Sequence, residues 1–144
     1  MHLSKFTDYA LRTCLYLGVN QDRLVPISEV SSAHAISRNN LMKIVNQLVN
    51  GQVIESGRGR YGGIKLTNPP NETSVGQIVR LMEGDERLVD CSDCILAGGC
   101  GLDGALAKAK GDFYKALDKV RVADTILSNA KTLPLLQAAT ADSR

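Results

Sequence analysis

Three of the four cysteines lie close together, in the stretch CSDCILAGGC over residues 91–100. Cys91, Cys94 and Cys100 follow a C-x2-C-x5-C spacing. Thiolate sulfurs at such short intervals are typical of zinc and iron–sulfur sites, which usually have four ligands. No further cysteine or histidine follows at a suitable distance. The spacing therefore predicts a metal centre that another kind of ligand must complete.

The length and composition of the chain indicate how many domains it forms and in which compartment the metal centre would lie. With 144 residues, of which 44% are apolar, the chain is expected to form one soluble domain, or a domain with an appended interaction helix. No apolar run is long enough to cross a membrane, and MHLSKFTDYALR does not resemble a signal peptide, so a cytoplasmic location is expected. In that reducing compartment, clustered cysteines are metal ligands or redox thiols rather than structural disulfides.

The charge is unevenly distributed along the chain. Residues 1–66 hold eight Lys and Arg against four Asp and Glu, whereas residues 67–144 hold nine against eleven. A basic front half is what binding to nucleic-acid phosphates requires, although solvated protein surfaces often carry the same excess. Charge alone therefore does not distinguish a surface that binds nucleic acid from an ordinary solvated surface.

The N-terminal segment, residues 3–18, is predicted to form an amphipathic helix. Its apolar residues recur at helical spacing along one stripe: Leu3, Phe6, Ala10, Cys14 and Leu17. Cys14 is therefore expected to be a buried core residue rather than a ligand. Asp8 and Arg12, four residues apart on the other face, are expected to form an ion pair.

Two further helices are predicted, the first with its N-cap near Ser28 and the second with Ser37 as N-cap and an end at Gly51. Two helices joined by a turn of three or four residues match the helix-turn-helix plan, although a helical hairpin with a solvated polar end has the same pattern. Side chains here that can reach phosphates or base edges are Ser28, Ser37, Arg38, Asn39, Asn40 and Lys43.

The glycine-rich segment VIESGRGRYGGIKL favours the DNA-binding alternative. Residues 53–55 and 64–66 are predicted to form two strands around a flexible turn. Residues 57–62 match G-x-G-x-x-G, but a strand follows where a dinucleotide-binding turn would open a helix. Arg58, Arg60 and Tyr61 at the hairpin tip suit a wing that contacts the DNA backbone or minor groove. We therefore predict a mainly α winged helix-turn-helix fold with a small β-hairpin.

The second half is predicted to contain a helix that begins at Thr73 or Ser74 and ends at Gly84, the cysteine loop, and a long helix from Leu102. The long helix carries a short heptad seam, typical of dimerisation helices: Leu102, Leu106, Ala109, Phe113, Ala116 or Leu117, and Val120. A short last helix is expected in ADTILSNAKTLPLL, followed by a disordered tail, QAATADSR.

Four segments carry a family resemblance: LSKFTDYALRTCLYL, ISRNNLMKIVNQLV, GRGRYGGIKL and VADTIL. In this order and spacing, they resemble the bacterial winged-helix regulators that include IscR, RirA and NsrR. The resemblance covers about residues 2–130. FTDY with Asp8, together with ISEV and MKIVNQL, is most similar to the nitric-oxide-sensing NsrR branch.

The resemblance implies a 4Fe–4S cluster on Cys91, Cys94 and Cys100, with Asp8 of the partner subunit as the fourth ligand. In the family the first two cysteines are usually further apart than here, which leaves the cluster type open, 2Fe–2S included. Asp103 is an alternative fourth ligand, because IscR-like proteins place a ligating histidine at its position. The implied organisation is a winged-helix DNA-binding domain (1–84), a cluster-binding loop (85–101), a dimerisation helix with a short last helix (102–130) and a flexible tail (131–144).

The function implied is that of a homodimeric DNA-binding repressor that senses nitric oxide through its cluster and thereby releases a pseudo-palindromic operator. An enzyme is not expected, because the chain offers no evident nucleophile–base pair. Three alternatives stay open: an IscR- or RirA-like sensor of iron or cluster status, a structural zinc on the same cysteines, and a cluster-free switch in which Cys91 or Cys94 oxidises to a disulfide.

Overall fold

The computed structural model describes residues 1–143. It is mainly helical, with one two-stranded antiparallel sheet. In chain order the elements are α1 (Lys5–Val19), α2 (Ile27–His34), α3 (Arg38–Asn50), β1 (Ile54–Gly57), β2 (Gly63–Leu66), α4 (Val75–Glu83), α5 (Gly101–Asp118), α6 (Val122–Leu127) and α7 (Thr132–Ser143). The winged helix-turn-helix prediction is confirmed in this order of elements.

Helix α1 forms the centre of the core. The Ser4 hydroxyl accepts from the Thr7 amide and caps the helix, while Ala10, Cys14 and Leu17 are fully buried. The predicted stripe is wrong at its N-terminal end, because Leu3 and Phe6 are each more than a third exposed. Leu3 lies before the helix begins, so it does not follow the helical repeat.

Helices α2 and α3 form the helix-turn-helix motif. Helix α2 begins directly after Pro26, so the predicted N-cap at Ser28 is wrong and Ser28 lies in the first turn. Ala35 adopts a left-handed conformation (φ 51°), and the Ser31 hydroxyl donates to the Ile36 carbonyl (2.7 Å), which closes the turn. The predicted Ser37 cap and Gly51 end of α3 are confirmed.

The wing is joined to the helix-turn-helix motif through backbone hydrogen bonds. Strands β1 and β2 pair from Ile54 with Leu66 to Gly57 with Gly63. Val25 and Ile64 also exchange two backbone hydrogen bonds of 2.8 Å, immediately before α2. A Cβ on Gly63 would lie 2.4 Å from the Val25 carbonyl oxygen, so only glycine permits this approach. The hairpin and α2 are thereby held in a fixed relation.

Helix α5 packs against α4 of the same chain, where Arg80 forms a two-bonded ion pair with Asp118. Tyr114 is the one buried residue of α5. Leu102, Ala109 and Ala116 of the predicted seam are exposed on the single chain. Dimerisation through this seam, like the division into domains, stays a prediction.

The C-terminal residues differ from the expected flexible tail over 131–144. Residues 132–143 form α7, which lies against α2 and α1 and buries Leu136. Arg144 lies outside the described residues. The tail prediction is wrong because it relied on the polar and small residues of QAATADSR and overlooked the apolar contact that Leu136 makes just before them. No helix within residues 1–143 is long and apolar enough to span a membrane.

Candidate DNA interface and metal centre

The first turn of α3 presents polar side chains to solvent. Arg38 and Asn39 are exposed and Asn40 is half-buried, while the Ser37 hydroxyl accepts from the Asn40 amide at 3.3 Å. Ser28 and Lys43 are also exposed. The predicted DNA-contacting residues of the two helices are therefore accessible, with the Ser37 hydroxyl partly occupied by capping.

The tip of the wing carries the other predicted contacts. Arg58 and Arg60 are exposed and Tyr61 is 84% exposed, with the Arg60 guanidinium 5.7 Å from the Tyr61 ring centre. Gly59 has a φ of 99°, a conformation that favours glycine. The turn can thus present two cations and an aromatic ring without shielding the backbone.

The cations on α3 and on the wing tip are not neutralised by carboxylates within residues 1–143. These four cations are Arg38 and Lys43 on α3, and Arg58 and Arg60 at the wing tip. Within residues 1–143, no carboxylate lies in ion-pair distance of any of them. By contrast, Lys65 in β2 pairs with Glu55 across the strands (3.0 Å). Unpaired cations can neutralise phosphates without first breaking an internal ion pair.

The three clustered cysteines line one open cavity of about 970 Å³, which is formed by the loop that connects α4 to α5 and by the first turn of α5. The loop consists of successive turns: the Cys94 amide donates to the Cys91 carbonyl (3.3 Å) and the Ala97 amide to the Cys94 carbonyl (3.0 Å). Cys100 is the N-cap of α5, where the helix dipole favours negative charge. None of the three forms a disulfide.

The predicted carboxylate ligands occupy different places. Asp103 lines the same cavity and forms an ion pair with Arg87. Asp8 lies on α1, outside the cavity lining, and pairs with Arg12. Within residues 1–143 no three Cys, His, Asp or Glu side chains converge closely enough to hold a metal ion.

The donor chemistry of this loop nevertheless suits an iron–sulfur cluster. Cys91, Cys94 and Cys100 are free, accessible thiols on one cavity, and iron in clusters prefers thiolate sulfur. Cys14 is fully buried, and this burial raises the pKa of its thiol to about 12, as expected of a core residue. Residues 1–143 thus offer three soft ligands around one cavity, although these side chains do not converge on a single metal position in the isolated chain.

The sequence patterns did not predict two groups of polar contacts. Glu83, at the end of α4, accepts from the Ser4 amide (2.7 Å) and from the Thr7 hydroxyl, and the Thr7 bond is the main cause of the lowered pKa of Glu83. In the second, Glu29 pairs with Arg23 and accepts from the Tyr16 hydroxyl (2.7 Å). Neither has a local sequence signal, because the partners meet only in the fold.

Comparison with known proteins identifies the family that shares this architecture. The model of the Rrf2 family, described as iron-dependent transcriptional regulators, matches residues 3–127. The chain is also 35% identical over 142 residues to the HTH-type transcriptional regulator NsrR of Oceanobacillus iheyensis, covering 94% of this chain and 97% of that protein. The chain belongs to the Rrf2 family. It is therefore a transcriptional regulator with a DNA-binding motif, and the expectation that it is not an enzyme is confirmed.

Solved structures show the same Rrf2 fold. CymR, the global cysteine regulator of B. subtilis, matches with a TM-score of 0.73 and 21% identity, over 90% of this chain and 98% of that one. IscR of T. potens matches with a TM-score of 0.71 and 20% identity, over 89% and 88%. The oxidised form of CymR from Staphylococcus aureus matches with a TM-score of 0.66 and 24% identity, over 85% and 93%.

Proposed function

We propose that this Rrf2 regulator is a homodimeric repressor that holds an iron–sulfur cluster on Cys91, Cys94 and Cys100, and that reaction of the cluster with nitric oxide releases its operator DNA. The observation that carries this proposal is the lining of one open cavity by three free thiols, directly before α5. The similarity to NsrR along nearly the whole chain agrees with the family resemblance, and that resemblance implies nitric oxide as the signal. A DNA partner is consistent with action in the cytoplasm.

The DNA-reading surface would use its residues in two ways. Lys43 and Arg60, which are both exposed, are proposed to hold phosphates. Arg38, Asn39 and Arg58 are proposed to reach base edges. Ser28, Ser37, Asn40 and Tyr61 complete the surface. Two such surfaces in a dimer would read half-sites about 34–36 Å apart on a pseudo-palindromic operator.

Three cysteines and one carboxylate are proposed as the ligand set, with Asp8 of the partner subunit in the fourth position and Asp103 as the alternative. A bound 4Fe–4S or 2Fe–2S cluster would supply iron that is reactive towards small diatomic molecules, and a carboxylate oxygen would hold that iron more weakly than a thiolate. Ligation by Asp8 would require it to exchange its contacts with Arg12.

The position of Asp8 links such ligation to DNA binding. Asp8 lies on α1, which packs directly against α3 of its own chain. A ligand bond from α1 to the partner's cysteine loop would therefore fix the two α3 helices relative to each other. When Asp8 leaves the loop, that restraint is lost, and a modest change of half-site spacing is sufficient to weaken operator binding.

A second candidate function is sensing of iron or cluster supply. The description of the Rrf2 family as iron-dependent regulators favours it. In this case the same three cysteines would be used, but occupancy of the site, rather than its reaction with nitric oxide, would decide DNA binding. A structural zinc and a cluster-free Cys91 or Cys94 disulfide switch are the other outcomes to separate.

The deciding experiment uses anaerobically purified full-length protein. Iron, acid-labile sulfide, zinc and the visible absorption spectrum are measured first, on the wild type, on Cys94→Ala and on Cys14→Ala as the matched control. We expect iron and sulfide in the wild type and in Cys14→Ala, and their loss in Cys94→Ala. Zinc without sulfide, or DNA binding that responds only to thiol oxidants, would contradict the cluster.

The same samples are then titrated with nitric oxide, oxygen and an iron chelator while binding to DNA is followed. The DNA is a duplex selected by the wild-type protein from a randomised library. Release by nitric oxide at stoichiometric amounts, with slower responses to oxygen and chelator, is expected. Release only when the chelator removes iron would favour the iron-sensing function.

A further inference from the structure

Helix α2, the first helix of the DNA-reading motif, has little apolar attachment to the core. It has eight residues, of which only Glu29 and Val30 are buried, and Glu29 carries a carboxylate. One fully buried apolar side chain, with Ile27 and Ala33 only partly buried against the core, is a small anchor for a helix that must hold α3 at a fixed angle. Other contacts therefore have to fix its position.

A buried polar network supplies part of that attachment. The Arg23 guanidinium donates to both carboxylate oxygens of Glu29, with Nη1 2.9 Å from Oε2. The Tyr16 hydroxyl donates to Glu29 Oε1 (2.7 Å), and burial raises the pKa of Tyr16, so this donor keeps its proton. Arg23 also donates to Asn20 Oδ1 (3.0 Å). The network thereby joins the end of α1, the following loop and the first turn of α2.

Helix α7 completes this network from outside. The Asn20 side-chain amide donates to the Thr140 hydroxyl (3.2 Å), and that hydroxyl donates to the Leu136 carbonyl (2.9 Å). Leu136, one turn earlier on α7, is buried, whereas its neighbour Leu135 is 67% exposed. Helix α7 begins at Thr132, beyond the residues 3–127 that match the family model.

We propose that α7 is a clamp that positions α2, and with it the whole helix-turn-helix motif, for DNA binding, with Leu136 and Thr140 as positioning residues. The inference rests on DNA binding through α2 and α3 and is independent of the metal centre. Residues remote from the DNA surface then contribute to affinity because they restrict the orientation of α2. The clamp acts in each chain by itself.

The test compares two pairs of full-length variants. Leu136→Ala removes the buried contact of α7, and Leu135→Ala makes the same chemical change on the exposed side of the same helix. Thr140→Val removes the hydroxyl while keeping the side-chain shape, and Thr140→Ser keeps the hydroxyl. Amide hydrogen exchange of residues 27–34 and of 75–83 in α4 is measured, together with affinity for the library-selected duplex at fixed salt.

Leu136→Ala is expected to speed exchange in α2 about tenfold or more, and to weaken DNA binding by a similar factor, while exchange in α4 stays near the wild-type rate. Thr140→Val is expected to show a smaller effect of about threefold, rescued by Thr140→Ser. Leu135→Ala is expected to behave as the wild type. These results would support the clamp.

Faster exchange in α2 and α4 alike would overturn the proposal, because it would show that α7 only stabilises the whole fold. Selectively faster exchange in α2 with unchanged DNA affinity would overturn it as well. A wild-type protein that selects no duplex from the library would count against the proposed function, whereas the exchange pattern would still decide whether α7 restrains α2.

Discussion

Asp8 and Arg12 hold each other through two contacts on the outer face of α1: Arg12 Nε donates to Asp8 Oδ1 at 2.9 Å, and Arg12 Nη2 lies 2.7 Å from Asp8 Oδ2. Both side chains are about half exposed (47% and 48%). The proposed cluster ligand therefore has an internal partner in the isolated chain. Ligation replaces a contact that solvent already weakens, so the exchange costs little.

Asp8→Ala is predicted to separate a stability effect from a ligand effect. Loss of a solvent-exposed i,i+4 pair should lower the free energy of unfolding of the cluster-free protein by only about 0.3–0.5 kcal/mol. In the cluster-loaded protein the same change should greatly speed iron loss to a chelator. Urea denaturation measures the first effect, and the decay of cluster absorption measures the second.

Asp103→Ala is the matched control for this prediction. It also removes one carboxylate from an ion pair, here with Arg87, but on the rim of the cysteine cavity. If iron loss is fast in Asp103→Ala and unchanged in Asp8→Ala, the fourth ligand is Asp103 and the proposed connection between subunits is wrong.

Cys14 is predicted to be inert to thiol reagents in the folded protein. Iodoacetamide at pH 8 should modify Cys91, Cys94 and Cys100 of the cluster-free chain, because they are accessible, and should modify Cys14 only after unfolding. Mass spectrometry of the labelled protein counts the modified sites. Four rapidly labelled cysteines under native conditions would contradict the structure of the core.

The raised pKa of the Cys14 thiol predicts a loss of stability at alkaline pH. Burial raises its pKa from 9.0 to about 12, so the unfolded chain loses this proton first as the pH rises. The contribution to stability is therefore complete below pH 9 and is lost progressively as the pH rises from 9 towards 12. Cys14→Ala should show a shallower decline in urea denaturation over this range.

Gly76 is predicted to be essential for the contact between α4 and α5. A Cβ at this position would lie 2.1 Å from Asp118 Oδ1 and 2.7 Å from the Asp118 backbone nitrogen, which cannot move away freely. Gly76→Ala should destabilise the fold by about 1–3 kcal/mol. Gly104→Ala in α5, where a Cβ meets nothing within 4 Å, should stabilise it by up to about 1 kcal/mol. Chemical denaturation of both variants tests the pair.

Lys43 and Lys65 are predicted to differ in their contribution to DNA binding. Lys43 has no carboxylate in ion-pair distance within residues 1–143, whereas Lys65 pairs with Glu55. Lys43→Ala should weaken binding to all sequences about equally and lower the slope of log affinity against log salt by about one. Lys65→Ala should leave the slope unchanged.

Arg38→Ala is predicted to act differently from Lys43→Ala. If Arg38 reaches a guanine edge, its loss should cost about 1–3 kcal/mol on the preferred duplex and much less on a duplex changed at that base pair. Binding titrations on the two duplexes measure the difference. An equal loss on both would show that Arg38 contacts only phosphates.

Much of this protein was determined by local sequence patterns. The repeat of buried residues in α3, the Ser37 cap and the paired strands around SGRGRYGG follow from interactions between residues close in the chain, so periodicity and capping rules predicted them. The buried position of Cys14 follows from the same helical repeat. The C-x2-C-x5-C spacing also identified the cysteines that share one cavity.

Only the tertiary structure decided the features that join distant parts of the chain. The bond from Ser4 to Glu83, the position of Asp8 outside the cysteine cavity, and the contact of α7 with α2 all depend on how segments far apart in sequence are arranged. The polar and small residues at the C-terminal end of α7 offer little apolar surface to bury, so the sequence predicts a flexible tail there. Helix α7 is stabilised by burying Leu136 against the rest of the molecule, and that free energy is gained only once the fold has formed.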